Sequence, residues 1–361
     1  MEPRRFNFSS GPATMPEPVL LRLREELWSI DGTGIGVGEH SHRSPTFDRV
    51  LADAVDAVRT VSGLGDDWEV LFLQGGATMH FALVPMNFLG EGRRAAFIDT
   101  GTWTTKAIAD ARRFGPVDVV WSGAEHGFDR IPCRDALPSC DGAAYLHYCS
   151  NNTIEGTQFA APPTALAPLV CDASSDLFSR RYDLAKHGLV FAGAQKNIGL
   201  SGNVLVLVRK DFLSAARSDL APILSYRDHA KAGSRLNTPN TLGVRAIGLS
   251  CRWILDEGGI DAIERRNEAK AQLVYDAIDT SGGFYRGTAR VSCRSRMNVV
   301  FRLPSKDLET RFVAEAAEAD LDGLAGHRTV GGLRASIYNA MPLAGCEALA
   351  AFMREFARIH G

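Results

Sequence analysis

Short apolar runs alternate with helix-period segments through the middle of the chain. Residues 70–73, Val-Leu-Phe-Leu, read as a buried strand. Gly75-Gly76 makes the turn after it, and residues 78–89 are helix-compatible. The alternation continues with a strand at 95–99 and a helix at 104–114. Further strands are expected at 117–121, 144–148, 169–171, 189–192 and 204–208. Short apolar strands separated by helices predict an α/β fold with one mostly parallel, seven-stranded sheet.

The flanks read differently. Residues 6–16 carry Ser9-Ser10-Gly11-Pro12 and read as a loop, residues 17–28 as a helix, and the glycine-rich run 31–38 as its break. After the sheet, helices over 242–256 and 260–279 lead into a smaller α+β unit. It has a strand at 298–302, a helix at 306–319, a strand at 333–338 and a helix at 345–358. The expected division is an N-terminal arm (1–16), a large domain (17–260) and a small C-terminal domain (261–361).

Composition narrows the function classes. The 361 residues are 45% hydrophobic and 23% charged, which allows a large core. The net charge of −2 comes with no basic stripe, so no nucleic-acid partner is expected. The seven cysteines are scattered and odd in number, with no CxxC pair. That argues against a metal site or disulfide framework and suits reduced thiols. The first eight residues, Met-Glu-Pro-Arg-Arg-Phe-Asn-Phe, lack the apolar core of a signal peptide, and no apolar run is long enough to span a bilayer. A soluble, cytoplasmic protein without a membrane partner is expected.

Parallel α/β sheets bind ligands at the carboxyl ends of their strands. After Leu73 comes Gln74-Gly75-Gly76-Ala77-Thr78, where small residues and a helix start could cradle a phosphate. Two glycines there are more often a simple turn. After Asp99 comes Trp103, which is either packing or a plate for a flat ring. The loop Cys149-Ser150-Asn151-Asn152-Thr153 offers a hydroxyl. Asp172 ends an apolar strand, where a carboxylate either caps the next element or meets a cation. Lys196 follows the apolar run 189–192 through Gly193-Ala194-Gln195. A lysine there is commonly a solvated strand cap. Desolvated, its amine can attack a carbonyl and form a Schiff base. As a set, lysine, carboxylate, flat ring, hydroxyl and phosphate cradle match what pyridoxal phosphate requires. Arg334 stands in an otherwise apolar strand and needs an anion or a carboxylate partner. His42-Arg43 and His327-Arg328 read alone as solvated loops or as local anion sites. The run 32–38 follows no convincing strand and is not read as a dinucleotide loop.

Several stretches carry a resemblance. They are Ser41-His42-Arg43-Ser44, the segment from His147 to Gly156, Ala192-Gly193-Ala194-Gln195-Lys196-Asn197-Ile198-Gly199, Asn237-Thr238-Pro239, and the segment from Gly326-His327-Arg328 to Ala340. The chain resembles the phosphoserine aminotransferases, class V aminotransferases of the type I pyridoxal-phosphate fold, nearly end to end. The resemblance implies pyridoxal 5'-phosphate as cofactor, with Lys196 holding it and shuttling the α-proton. Asp172 would pair with the ring nitrogen, Trp103 would stack on the ring, and Thr153 would bond its phenolic oxygen. Ala77, Thr78 and Gln195 would hold the phosphate. Asn237 and Thr238 would reach the cofactor of a neighbouring subunit in a homodimer. Arg334 would bind the α-carboxylate of phosphoserine, glutamate or 2-oxoglutarate. His42, Arg43, His327 and Arg328 would bind the distal anion. The implied reaction exchanges 3-phosphohydroxypyruvate and glutamate for phosphoserine and 2-oxoglutarate, with 4-phosphohydroxythreonine as a related substrate. Three places depart from the family pattern: Thr78-Met79-His80, Asn152, and Gly38-Glu39-His40. The rivals are an alanine- or serine-glyoxylate transaminase, a cysteine desulfurase, and a non-catalytic binding protein.

Overall fold

In the computed structural model, which describes residues 4–133 and 137–361, seven strands form one sheet. They are β1 (Trp68–Gln74), β2 (Ala95–Asp99), β3 (Val117–Ser122), β4 (Leu146–Cys149), β5 (Leu169–Asp172), β6 (His187–Gly193) and β7 (Asn203–Arg209). Their spatial order is β1-β7-β6-β5-β4-β2-β3. β7 runs antiparallel to both neighbours, and the other pairings are parallel. The exception has a local cause: the short link from β6 to β7 holds no crossover helix, so the chain turns straight back. β2, β4, β5 and β6 are buried along their whole length, because both faces of the sheet are covered.

Helices α1 (Glu17–Trp28), α2 (Pro45–Ser62), α3 (Ala77–Phe88), α4 (Thr102–Ala111) and α5 (Thr241–Asp256) belong with this sheet. α2 is absent from the elements expected above, although its ends are marked in the sequence. Ser44 caps it by accepting from the Phe47 N–H, Pro45 opens it, and Gly63 closes it in the left-handed region. It packs closely on α5, where a Cβ added to Gly248 would lie 3.1 Å from Ala54.

α6 (Gly259–Asp279) leads to a second, antiparallel sheet. Its strands are β8 (Arg286–Gly287), β9 (Asn298–Arg302), β10 (Ala325–His327) and β11 (Gly331–Ser336), in the order β8-β9-β11-β10. α7 (Lys306–Glu318) and α8 (Leu343–His360) complete this unit. α6 serves two apolar cores: Ile263 packs in the core of the large sheet, while Val274 and Ile278 pack in the core under β9 and β11. The N-terminal arm is more than a loop. Phe6–Asn7 pairs in parallel with Leu321–Asp322, and Phe8 is fully buried in the second core. Two extended residues carry no periodicity, so this pairing left no trace in the pattern.

Candidate active site

Lys196 and Asp172 meet at the carboxyl edge of the large sheet, beyond the adjacent parallel strands β6 and β5. Asp172 is buried, and its Oδ1 accepts from the Ser174 N–H at 2.9 Å and the Ser174 hydroxyl at 2.5 Å. Burial pushes its carboxyl up, while the Lys196 charge and the Ser174 bonds oppose that shift. The Lys196 amine responds inversely. Burial lowers its pKa, Asp172 raises it, and Arg334 lowers it further. A lysine held this way sheds its proton more readily, as a nucleophilic amine must.

Trp103 stands in the first turn of α4, with the Lys196 Nζ 5.2 Å from its ring centre. Its indole N–H donates to Thr153 Oγ1 at 3.0 Å, which fixes the plane of the ring. α4 is itself anchored. Asp99 Oδ1 accepts from the Thr104 and Thr105 hydroxyls, each at 3.0 Å, and Glu155 Oε1 accepts from the Thr102 N–H at 2.7 Å and hydroxyl at 2.8 Å. Burial raises the pKa of Glu155.

The phosphate cradle lies where β1 gives way to α3 and β6 to the Lys196 loop. Gly76 caps α3 without any side-chain bond, so the first N–H groups of the helix stay free. A Cβ built on Gly193 would lie 3.0 Å from Gln195 Oε1, 3.3 Å from its Nε2 and 3.5 Å from the Ala77 nitrogen. The missing side chain therefore opens a space where all three groups converge, and Gln195 Oε1 is buried without a partner. Thr78 is exposed on the same helix start. Together with the lysine, the carboxylate and the indole, these residues fit pyridoxal 5'-phosphate.

Arg334 extends from β11 of the second sheet. It is 9% exposed, its Nη1 donates to the Thr153 carbonyl at 3.1 Å, and its Nε is buried without a partner. Among the described residues no carboxylate pairs with it, and burial lowers its pKa. A guanidinium in that state calls for an anionic ligand. His327, at the end of β10, has its pKa lowered by burial and then by the charges of Arg334, Arg328 and Lys106. Arg334, Arg328 and Lys106 form a cationic rim around His327. Lys106 is the member that sequence reading missed, though three residues after Trp103 on a helix is the same face. Its Nζ lies 4.8 Å from the Trp103 ring centre.

Other expected residues fall elsewhere. His42 and Arg43 lie in the loop before α2, and among the described residues no hydrogen bond or ion pair joins them to Lys196, Asp172 or Arg334. Asn237 and Thr238 are exposed and held by Gln74, which accepts from Asn237 Nδ2 at 3.1 Å and donates to the Thr238 carbonyl. The departures at His80 and Asn152 turn inward. His80 is buried with Nδ1 2.7 Å from the Tyr226 hydroxyl, and burial drops its pKa to about 3. Asn152 accepts from the Thr100 hydroxyl and donates to Thr157. Cys149 bonds the Asn151 carbonyl and burial pushes its thiol well up, so it makes a poor nucleophile.

Comparison with known proteins agrees with this geometry. The Aminotransferase class-V family model matches residues 5–349. A phosphoserine aminotransferase of Shouchella clausii is 48% identical over 98% of this chain and 97% of its own length. Another, from Desulfosudis oleivorans, is 48% identical over the full length of both chains. Among solved structures, phosphoserine aminotransferase from Bacillus circulans subsp. alkalophilus superposes with a TM-score of 0.97 at 44% identity, covering 99% of each chain. The pyridoxal-phosphate-bound enzyme from Trichomonas vaginalis gives 0.92 at 35%, over 97% of this chain and 100% of that one. With its sheet edge, lysine and unpaired arginine arranged in this way, the chain belongs to the phosphoserine aminotransferase family of the class V aminotransferases.

Proposed function

We propose that this protein is a pyridoxal-phosphate-dependent transaminase that exchanges 3-phosphohydroxypyruvate and L-glutamate for O-phospho-L-serine and 2-oxoglutarate. The observation that carries the substrate reading is Arg334, a buried guanidinium with no carboxylate partner among the described residues, facing the lysine site. Bound pyridoxal phosphate supplies the electron sink for the bond broken at the substrate α-carbon. Lys196 would hold the cofactor between turnovers and carry the proton at the α-carbon. Asp172 would keep a proton on the ring nitrogen, and Trp103 and Thr153 would orient the ring. Ala77, Thr78 and Gln195 would hold the phosphate. Arg334 would clamp the α-carboxylate as a fork, and His327 and Arg328, with Lys106, would receive the distal phosphate or carboxylate. One site serving two substrates in turn gives ping-pong kinetics.

The same distal rim suits 4-phosphohydroxy-L-threonine, which keeps the phosphate and the α-amino acid. We further infer a homodimer in which Asn237 and Thr238, and with them His42 and Arg43, serve a neighbouring site. The exposure of Arg43, Asn237 and Thr238 supports it, as does the apolar group Leu27, Trp28 and Ile35, with Trp28 85% exposed. No helix among the described residues is long and apolar enough to cross a membrane. The free cysteines suit a reducing compartment, and we place the enzyme in the cytoplasm.

The test is spectroscopic. The purified protein should show the visible band of a lysine-bound cofactor, and phosphoserine and glutamate, added separately, should each bleach it. A missing band, or one indifferent to phosphoserine, overturns the reading.

A further inference from the structure

A substrate of this site must touch two domains at once. Its α-carbon has to reach Lys196 beside the large sheet, and its α-carboxylate has to reach Arg334 on β11 of the second sheet. The spacing between those two groups is therefore an interdomain distance. Apolar packing alone would leave it soft, because such contacts have no direction.

A directional seam crosses the boundary, starting one residue after Lys196 and meeting the other side five residues after Arg334. Three consecutive carbonyls of the large domain, Leu177, Phe178 and Ser179, each receive an asparagine amide. Asn197, the residue after Lys196, donates to Leu177 O at 2.7 Å. Asn339, just beyond the end of β11, donates to Phe178 O at 2.9 Å. Asn267 of α6 donates to Ser179 O at 2.9 Å. The asparagines also bond one another. The Asn339 N–H donates to Asn197 Oδ1 at 3.0 Å, and Asn267 Nδ2 donates to Asn339 Oδ1 at 2.8 Å. Asn267 and Asn339 are each 1% exposed. Phe178 adopts a φ of 61°, a left-handed conformation that costs an aromatic residue energy. The surrounding bonds hold it there. The same stretch of chain begins at Asp172, since the Leu177 N–H returns to the Ala173 carbonyl and Asp172 precedes it. Within the smaller unit, Lys270 donates to the Ile337 and Tyr338 carbonyls at 2.9 and 2.6 Å, which ties the chain before Asn339 to the helix that carries Asn267.

We propose that Asn197 and Asn339 are positioning residues that set the separation of Lys196 and Arg334, and so make the enzyme select α-amino acids over β-amino acids. The inference rests on the transaminase reading above. A β-amino acid inserts one methylene between amine and carboxylate, a change of at most about 1.5 Å, the length of one carbon–carbon bond. Misplacement by about 1 Å can cost on the order of 100-fold in rate. A seam of directional hydrogen bonds can hold a distance to that tolerance, because each bond fails when stretched.

The experiment uses the cofactor-loaded enzyme and single-turnover bleaching of the visible band. Glutamate is compared with 3-aminoglutarate, its β-amino isomer. Wild-type enzyme should prefer glutamate strongly. In Asn197→Ala and Asn339→Ala the glutamate rate should fall by roughly 10- to 100-fold, and the preference should shrink at least tenfold because the β-isomer loses less. Asn197→Asp keeps the acceptor for the Asn339 N–H but cannot donate to Leu177 O, so it should retain only part of the preference. Amide exchange gives an activity-independent readout: the Asn339 N–H should lose protection in Asn197→Ala while the β11 amides keep theirs. Asn197 is only half-buried, so its variants carry the test even where Asn339→Ala fails to fold. An unchanged α-to-β preference in Asn197→Ala, whether the rate falls or not, overturns the proposal. A wild-type enzyme that ignores both glutamate and phosphoserine would instead remove the transaminase reading.

Discussion

Arg334 shows how one residue's environment defines its ligand. Its guanidinium is buried, bonded to a single carbonyl, and left with a free Nε. Truncating one partner of a buried charge pair typically costs about 2–5 kcal/mol. Arg334→Ala should therefore lower kcat/KM for glutamate and phosphoserine alike, on the order of 100-fold. Steady-state kinetics with both substrates checks this, and an effect on phosphoserine alone would misplace Arg334. His327→Ala and Arg328→Ala should behave differently. Both should impair substrates with a distal anion while leaving turnover of L-alanine nearly unchanged, which a substrate panel would reveal. At this scale the sequence was informative about Lys196, Asp172 and Arg334, because a charged residue inside an apolar strand is conspicuous. Lys106 had a local signal, three residues after Trp103 on one helix face, that went unused. Glu155 was not legible, because it lies on an ordinary polar position and only the fold brings it to Thr102 at the start of α4.

At the scale of elements, α4 is the part whose placement matters most to the ring site. Its N-terminus is seated on the Glu155 carboxylate at Gly101, where a Cβ would come within 2.4 Å of the carboxyl carbon. Gly101→Ala should push α4 from that seat and loosen Trp103. We expect cofactor affinity to fall by about tenfold, equivalent to roughly 1.4 kcal/mol, in a fluorescence titration of the cofactor-free protein. Glu155→Gln keeps an acceptor for Thr102 and should change it far less. α5 offers a simpler test. Asn240 caps it by accepting from the Gly243 N–H, and Asn240→Ala should cost about 1 kcal/mol in denaturant unfolding. Most helices and strands were legible from periodicity, with ends displaced by a few residues. α2 is marked by its Ser44-Pro45 start and Gly63 stop but lies outside the strand–helix alternation, which begins at residue 70.

For the whole molecule, the helix that serves both apolar cores carries a titratable group. Lys270 of α6 is fully buried against the exit of β11, and burial lowers its pKa to about 7. Its unfolded value lies near 10.4. Between about pH 7 and pH 10 the unfolded chain binds more protons than the folded one, so this group makes stability rise with pH across that window. Below pH 7 both states are protonated and the burial penalty is felt in full. Unfolding free energies measured from pH 6 to pH 9.5 should rise more steeply for wild type than for Lys270→Met. Parallel curves would show that Lys270 is not neutral in the folded state.

What the sequence determined by itself was the list of parts: an α/β chain, a run of sheet strands, and a lysine, a carboxylate and an arginine in positions that only chemistry or a special partner explains. Those features are local, because period and composition act over a few residues. The tertiary structure alone decided which parts meet. It turned β7 antiparallel, drew the N-terminal arm into the second sheet's core, and put His80 out of reach of the cradle. It left His42 and Arg43 apart from Lys196 within one chain. It also aligned three asparagines, Asn197, Asn339 and Asn267, on three successive carbonyls. Such meetings depend on long-range pairing and burial, and an amide that bonds a carbonyl far away in sequence leaves no mark on the pattern around it.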